Sequence, residues 1–210
     1  EIMRGCTRGC RFCHAGMITR PVRERPVPEV MDAIAEIIAS TGFEEISLLS
    51  LSSSDYVYVH ELTQAVHDKY HDSGLSLSLP SLRLESASAE LLDRLGDTRR
   101  GGFTFAPEAA TEKMRDIINK YVPDEQVLET ARAVYSRGWR TIKFYFMIGH
   151  PEETIEDVQA IINLCKAVLR EGQKLIGGKA NVNVGVSTFI PKPHTPFQCV
   201  PQDTHVQVRE

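Results

Sequence analysis

Residues 6 to 13 read CTRGCRFC, so three of the five cysteines in a chain of 210 residues, Cys6, Cys10 and Cys13, crowd into one short stretch near its start. Thiolates bind metals or do redox chemistry, and their number and spacing constrain which. Cys10 and Cys13 alone would serve as a redox pair, but that leaves Cys6 without a part. His14 follows at once and would complete a Cys3His zinc set, since structural zinc takes four nitrogen or sulfur ligands. Iron–sulfur clusters commonly take four thiolates, and a cluster held by three leaves one iron open to a further ligand. A disulfide framework fits poorly: five cysteines are few and odd in number, which suits a reducing, cytoplasmic compartment.

The elements that must position these residues follow from periodicity. Val30, Ile34, Ile37 and Ile38 recur at helical spacing and predict a helix over 28–40, stopped by Thr41-Gly42. An apolar run over 45–50 predicts a buried strand ending in hydroxyls, residues 60–70 a helix, and the alternation of LSLSLPSLRL from Leu75 another strand. Ser88 is placed to cap a short helix that Gly96 ends, GGFTFAPE supplies a fourth strand, and ATEKMRDIINK a helix. Asp124 is placed to cap the next helix and Gly138 to close it. Residues 141–148 are strongly β-prone, Thr154 opens a long amphipathic helix, and NVNVGVSTFI is a last strand closed by the stiff PKPHTPF.

Counting EIMR at the start, six strands alternate with helices, which implies a parallel sheet with right-handed crossovers. Six units are too few for the usual eight-stranded barrel and leave an open, barrel-like arc or a doubly wound sheet. In both, ligands gather beyond the carboxyl ends of the strands. The unusual residues sit there: CTRGCRFC, SSSDY, PSLR, APE, GHPEE and IPKPHTP each follow or end a strand.

Composition is that of an ordinary globular domain, 42% hydrophobic, and one domain over 1–210 is the expectation. The chain opens on Glu1 with a strand-like run straight into the cysteines, as a domain excised from a longer protein would. A net charge of −4 gives no global support for nucleic-acid binding, although Arg20, Arg23 and Arg25 make one segment basic enough to clamp a phosphate or an RNA. A solvated loop is the plainer account of those arginines. No apolar run approaches the ~20 residues that span a bilayer.

Cys6, Cys10 and Cys13, with aromatic Phe12 before the last of them, match the C-x3-C-x2-C signature of the radical SAM enzymes, and the chain resembles that family along nearly its whole length. FYFMIGHPEET is similar to the family's fifth-strand segment at Gly149, Pro151, Glu153 and Thr154; FIPKPHTPF resembles the sixth-strand segment at Pro191, Pro193, Thr195 and Pro196; APEAATEKMR resembles the fourth at Glu108. In detail the chain is similar to a group of radical SAM proteins that usually carry a cobalamin-binding domain ahead of this one and, more distantly, to methylthiotransferases.

The resemblance implies an α/β fold, a partial (β/α)6 TIM-like barrel with mainly parallel strands. It implies that Cys6, Cys10 and Cys13 hold a four-iron four-sulfur (4Fe-4S) cluster whose open iron binds S-adenosylmethionine. One electron, from a reductant such as flavodoxin or ferredoxin, then cleaves the sulfonium to a deoxyadenosyl radical that takes a hydrogen from a substrate the resemblance leaves unnamed. Cobalamin would need a domain lying before Glu1. The competing account is a non-catalytic zinc or iron–sulfur module serving as scaffold or electron carrier.

The remaining candidates carry a bland reading beside the functional one. Where many family members have Gly-Gly-Glu, this chain has Ser50-Leu51-Ser52-Ser53-Ser54-Asp55, so Ser52, Ser53 or Asp55 would supply oxygens to the methionine ammonium, or else form a capped turn. Ser78 and Ser81 are placed to face the cofactor, with Arg83 a partner for its carboxylate. The resemblance implies that Glu108 bonds the ribose, against a role at a helix start; Glu153 faces the same choice. Lys143 and Tyr145 alternate with Ile142 and Phe144, and the polar pair is the candidate lining of the interior. Prolines around Pro191 fix the backbone, and the resemblance implies that its main-chain groups meet an adenine. Cys165 reads as a buried structural thiol, and Cys199 has no visible partners.

Overall fold

Ile2 and Met3, almost wholly buried, draw the start of the chain into the core as β1 (Met3–Arg4). In the computed structural model, which describes residues 1–84, 91–92 and 102–204, the cysteine loop then leads through α1 (Ala15–Ile18) to β2 (Arg23–Glu24), which turns back antiparallel on β1. Helix α2 (Val27–Thr41) has Pro28 in its first turn and ends at Gly42, whose φ of 68° is the left-handed cap that glycine accepts without strain. Next come β3 (Glu45–Ser47), α3 (Val59–Tyr70) and β4 (Ser76–Ser78), with β3 and β4 parallel. Ile2 donates to the Leu49 carbonyl and Leu48 to that of Ser78, linking β1 to β3 and extending the β3–β4 ladder. The helix expected from Ser88 to Gly96 lies outside the described residues except for Leu91 and Leu92, which are helical and fully buried.

The second half holds β5 (Phe103–Glu108), α4 (Glu112–Ile117), α5 (Asp124–Ser136), β6 (Thr141–Ile148), α6 (Ile155–Ile176) and β7 (Asn181–Thr188), with the strands parallel in the order β5-β6-β7. In β6 the alternation predicted from sequence is resolved: Ile142, Phe144 and Phe146 are buried in the main core, and Lys143, Tyr145 and Met147 occupy the other, more open face. The result is the α/β partial TIM-like barrel, mainly parallel, that the six-unit pattern and the resemblance imply.

Local chemistry fixes the helix starts. Thr154 caps α6 in a reciprocal box with Asp157, and Thr111 caps α4 by accepting from Met114. Asp124 is not the cap expected of it: Pro123 precedes the helix, and the Asp124 carboxylate sits in the first turn where the buried Arg115 guanidinium claims it. Asp157 also accepts from Thr111 and Lys113 at 2.8 Å each, which ties α6 to α4. Burial alone would raise its pKa, but these bonds and those from Thr154 outweigh it and hold it at about 2.

A small second apolar cluster of Ala109, Met114, Ile118, Phe189 and Phe197 lies at the strand ends, with Phe12 of the cysteine loop packed on it. At the other margin β7 is the edge of its sheet. Val184 and Val186, on the face shared with Phe144 and Phe146, stay about half exposed.

Gly172 lies where α6 meets the Tyr135 ring; a Cβ there would stand 2.7 Å from the ring edge and 2.8 Å from Ala180 Cβ, and the Tyr135 hydroxyl is anchored to the Asn181 carbonyl. Gly172→Ala is therefore expected to destabilise by about 1–3 kcal/mol through overpacking, although alanine favours a helix by about 1 kcal/mol. A thermal melt of the variant that matches or exceeds the parent would show that the ring yields. For Asp157, whose folded pKa is depressed, the stability it contributes is present above the ordinary carboxylate range and lost as pH falls toward 2. The gap in stability between parent and Asp157→Asn should accordingly be widest above pH ~4 and close on acidification; a gap independent of pH would show that the charge is immaterial.

Candidate functional site

The cysteine loop follows β1 and carries Cys10 buried and Cys6 and Cys13 half buried, all as free thiols. Within the loop, the Arg8 and Gly16 amides approach the Cys6 and Cys13 sulfurs at 3.4 and 3.3 Å. Such donors favour the thiolate form and temper the charge of a metal–thiolate centre. Among the described residues no three His, Cys, Asp or Glu side chains gather into a group that would hold a single metal ion. His14 instead begins α1 and stacks its ring 6.4 Å from that of His194.

Other elements hold this loop in place. Asn119, in the left-handed region at φ 54°, donates to the Gly9 carbonyl at 2.8 Å, and the Arg11 amide bonds the Ile118 carbonyl at the end of α4. The Phe197 amide bonds the Arg11 carbonyl from the segment after β7. Arg8 reaches across to Asp55 in a bidentate pair at 2.6 and 2.9 Å.

Asp55 is the polar centre of the turn after β3. Burial would raise its pKa, yet bonds from Arg8 and Ser52, with Arg8 and Arg83 charges nearby, hold it below the usual carboxylate range. Arg83 stands 4.0 Å away, itself nearly buried. Ser52 spends its hydroxyl on Asp55, and Ser53, with no exposed surface, bonds the Leu48 and Pro80 carbonyls and Ser50. Ser81, at φ 66°, is exposed, its carbonyl accepting from Ser53.

Glu108 ends β5 at φ 68°, a left-handed conformation unfavourable for a residue with a Cβ, just past a register shift. Its carboxylate is not a helix cap, that role belonging to Thr111; it pairs with Lys120 at 3.1 Å, both side chains nearly buried. Glu153 accepts from the Gly149 amide at 2.5 Å and so closes the turn after β6; burial raises its pKa. Gly149 itself, at φ 84°, faces Asp203 so closely that a Cβ would lie 3.0 Å from its carboxylate. Pro191 is half buried just beyond Phe189.

The next residue of that turn, His150, is buried between the Phe12 and Phe189 rings, at centroid distances of 6.1 and 5.4 Å. Burial pushes its pKa down to about 4, and neither ring nitrogen has a hydrogen-bond partner.

Sequence spacing did not single out His150, Lys120 or Asn119; a polar ring wedged between Gly149 and Pro151 was the only available hint for the first. Lys143 and Tyr145 do share the open face of β6, the ammonium 4.7 Å over the ring. Cys165 packs against the core with its thiol pushed up to about 11 by burial, and Cys199 is exposed. Arg23 and Arg25 line a hollow shared with Arg4, Glu1 and Glu24, in which Glu1 is paired with Arg4, and Arg20 bonds the Gly16 carbonyl. No helix among the described residues is long and apolar enough to cross a membrane.

Comparison with known proteins bears on family and fold. An uncharacterized protein of Methanocaldococcus jannaschii is 34% identical over 198 residues, 94% of this chain and 41% of its own length. A tRNA-2-methylthio-N(6)-dimethylallyladenosine synthase of Sorangium cellulosum is 25% identical over 96% of this chain and 43% of its own. The chain thus spans less than half the length of these relatives. Among solved structures, Streptococcus suis SuiB bound to S-adenosylmethionine superposes with a TM-score of 0.63 at 12% identity, over 98% of this chain and 43% of that one. Coproporphyrinogen III oxidase (HemN) of Escherichia coli, a radical SAM enzyme, does so at 0.62 and 13%, over 97% and 47%. At such identities the superpositions speak for the fold. The family model of the radical SAM superfamily matches residues 1–165, from β1 and its cysteines into α6, and the chain belongs to that superfamily.

Proposed function

We propose that residues 1–210 are the core domain of a radical SAM enzyme in which Cys6, Cys10 and Cys13 hold a 4Fe-4S cluster and the surrounding strand ends hold S-adenosylmethionine. The observation that carries this reading is the cysteine loop itself: three free thiols, two of them met by backbone N–H groups, braced from three sides at the carboxyl ends of parallel strands. The thiols fit a cluster in their chemistry, since thiolates are its usual ligands and three leave one iron open. When bound, cluster and cofactor supply a reductive one-electron cleavage of a sulfonium–carbon bond, the electron drawn from a flavodoxin- or ferredoxin-like protein.

The chain's own residues orient and enclose. Asp55, kept ionised by Arg8, is the carboxylate for the methionine ammonium, with Ser52 positioning it and Ser53 fastening the turn beneath. Arg83 is the partner for the methionine carboxylate, near Ser81. Glu108, fixed by Lys120 and by its left-handed backbone, meets the ribose hydroxyls. Phe12, Gly149 and Pro191 frame the remainder of the cofactor, and Lys143 and Tyr145 look onto the space for a substrate. The likeness to a methylthiotransferase favours methyl or methylthio transfer as the reaction of the whole protein, with cobalamin, if used, carried by another domain. The non-catalytic alternative assigns no task to a carboxylate held in strained backbone at a strand end.

Anaerobic reconstitution should give an iron–sulfur spectrum that S-adenosylmethionine perturbs, and dithionite should then yield deoxyadenosine. Stoichiometric zinc that persists, with a spectrum indifferent to the cofactor, would overturn the enzyme reading. Cys10→Ala is expected to abolish iron loading and Cys165→Ala to leave it intact; equal loss from both would sink the ligand assignment.

A further inference from the structure

Lys143 is the one lysine carried on a strand among the described residues. Its place in β6 decides which way it looks. Ile142, Phe144 and Phe146 share the main core with Val134 of α5 and with Ile161 and Val168 of α6, so helices cover that face. Lys143 and Tyr145 therefore look inward, to the concave side of the arc. Register sets Thr104 of β5 and Asn183 of β7 on either side of Lys143, and both are exposed. The Asn183 carbonyl accepts from the Asn181 carboxamide at 3.2 Å, which leaves its own NH2 to donate elsewhere. Gly185, opposite Tyr145, lets the phenol ring lean over β7: a Cβ there would stand 2.8 and 2.9 Å from the ring's Cδ1 and Cε1. That ring is 42% exposed, with the Lys143 ammonium 4.7 Å from its centroid.

What this patch lacks is negative charge. Lys113, Lys120 and Lys174 each meet a carboxylate, whereas none among the described residues forms an ion pair with Lys143, including Glu45 on the inward side of β3. A ring face offsets a cation only in part. A hydroxyl, an ammonium and an NH2 group in one row, beside a flat apolar surface, complement an anion joined to a flat group. Lys143 precedes Ile148, the end of its strand, by roughly 16 Å at about 3.3 Å per residue. The side chain recovers part of that depth, so a molecule held there and reacting at the rim is on the order of 10 Å long. We propose that Lys143 and Tyr145 form a specificity subsite for the substrate, whose anionic end, a phosphate or a carboxylate, binds the ammonium while a flat group packs on the Tyr145 ring. The inference rests on the reading proposed above, which makes the interior of the arc a place for substrate.

The test titrates full-length, cluster-loaded protein by calorimetry with phenyl phosphate, benzoate and neutral benzyl alcohol. The parent should bind one of the two anions at least ~10-fold more tightly than the alcohol, and the preferred anion tells phosphate from carboxylate. Lys143→Met should bring that anion down to the level of the alcohol, Lys143→Arg should keep the preference, and Tyr145→Leu should weaken all three aryl compounds. Iron content and melting temperature check that each variant is intact. A parent that binds neither anion better than the alcohol overturns the inference, as does an intact Lys143→Met protein that keeps the preference. The same samples are read by the cluster's paramagnetic resonance signal with S-adenosylmethionine. Anion preference absent while that signal still responds sinks the subsite alone; a signal indifferent to S-adenosylmethionine sinks the enzyme reading, and with it the assignment of the subsite to a substrate.

Discussion

A loop that presents three thiols to a metal centre cannot fill itself with apolar side chains, so its shape has to be imposed from outside. Here the imposition is a set of hydrogen bonds from distant parts of the chain: Asn119 and Ile118 after α4, Phe197 after β7, and Asp55 after β3 all bind the backbone or side chains of residues 8 to 11. Each bond is modest alone, on the order of 1 kcal/mol, and somewhat more for the charged pair. Their joint effect is to make the loop's geometry depend on the correct closure of the whole arc. The cysteines reach their final places only when β1, β3, β5 and β7 have.

The same logic orders the rim electrostatically. Asp55 and Glu108 are carboxylates drawn out of water and met by cations that arrive from elsewhere in the chain, Arg8 for one and Lys120 for the other. Removing one partner of a nearly buried pair leaves an uncompensated charge, which is far more damaging than deleting a pair on the surface. The aromatic seam at His150 is of another kind, with apolar ring faces on both sides of the imidazole.

Much of this was legible in the chain before any coordinates. The six main strands were marked by apolar runs and turn residues, and the chemistry-bearing segments fell at their carboxyl ends by simple order along the chain. Period two separated Ile142, Phe144 and Phe146 from Lys143 and Tyr145, leaving only the choice of face to packing. What escaped was short or distant. Strand β2 is two residues long, too brief to carry an alternation, and exists because β1 needed a partner. Lys120 lies twelve residues from Glu108 and Asn119 lies 110 from Gly9, separations at which no local pattern operates. The serine run after β3 looked like a row of available hydroxyls; Ser53 proved to be spent inside the fold because the backbone there leaves carbonyls of Leu48 and Pro80 to be met.

Strand β7 has a consequence of another kind. It pairs along one edge only, and Val184 and Val186 stand half exposed on a sheet face whose other members are covered. An edge of this length with apolar side chains is a template on which a second extended chain can add, and natural proteins usually blunt such edges with charge, proline or a bulge. None of these devices interrupts Asn181–Thr188. Prepared in isolation, this stretch would set the shelf life of the protein: loss to aggregation would begin at this edge strand, and Val184→Lys or Val186→Lys would slow it.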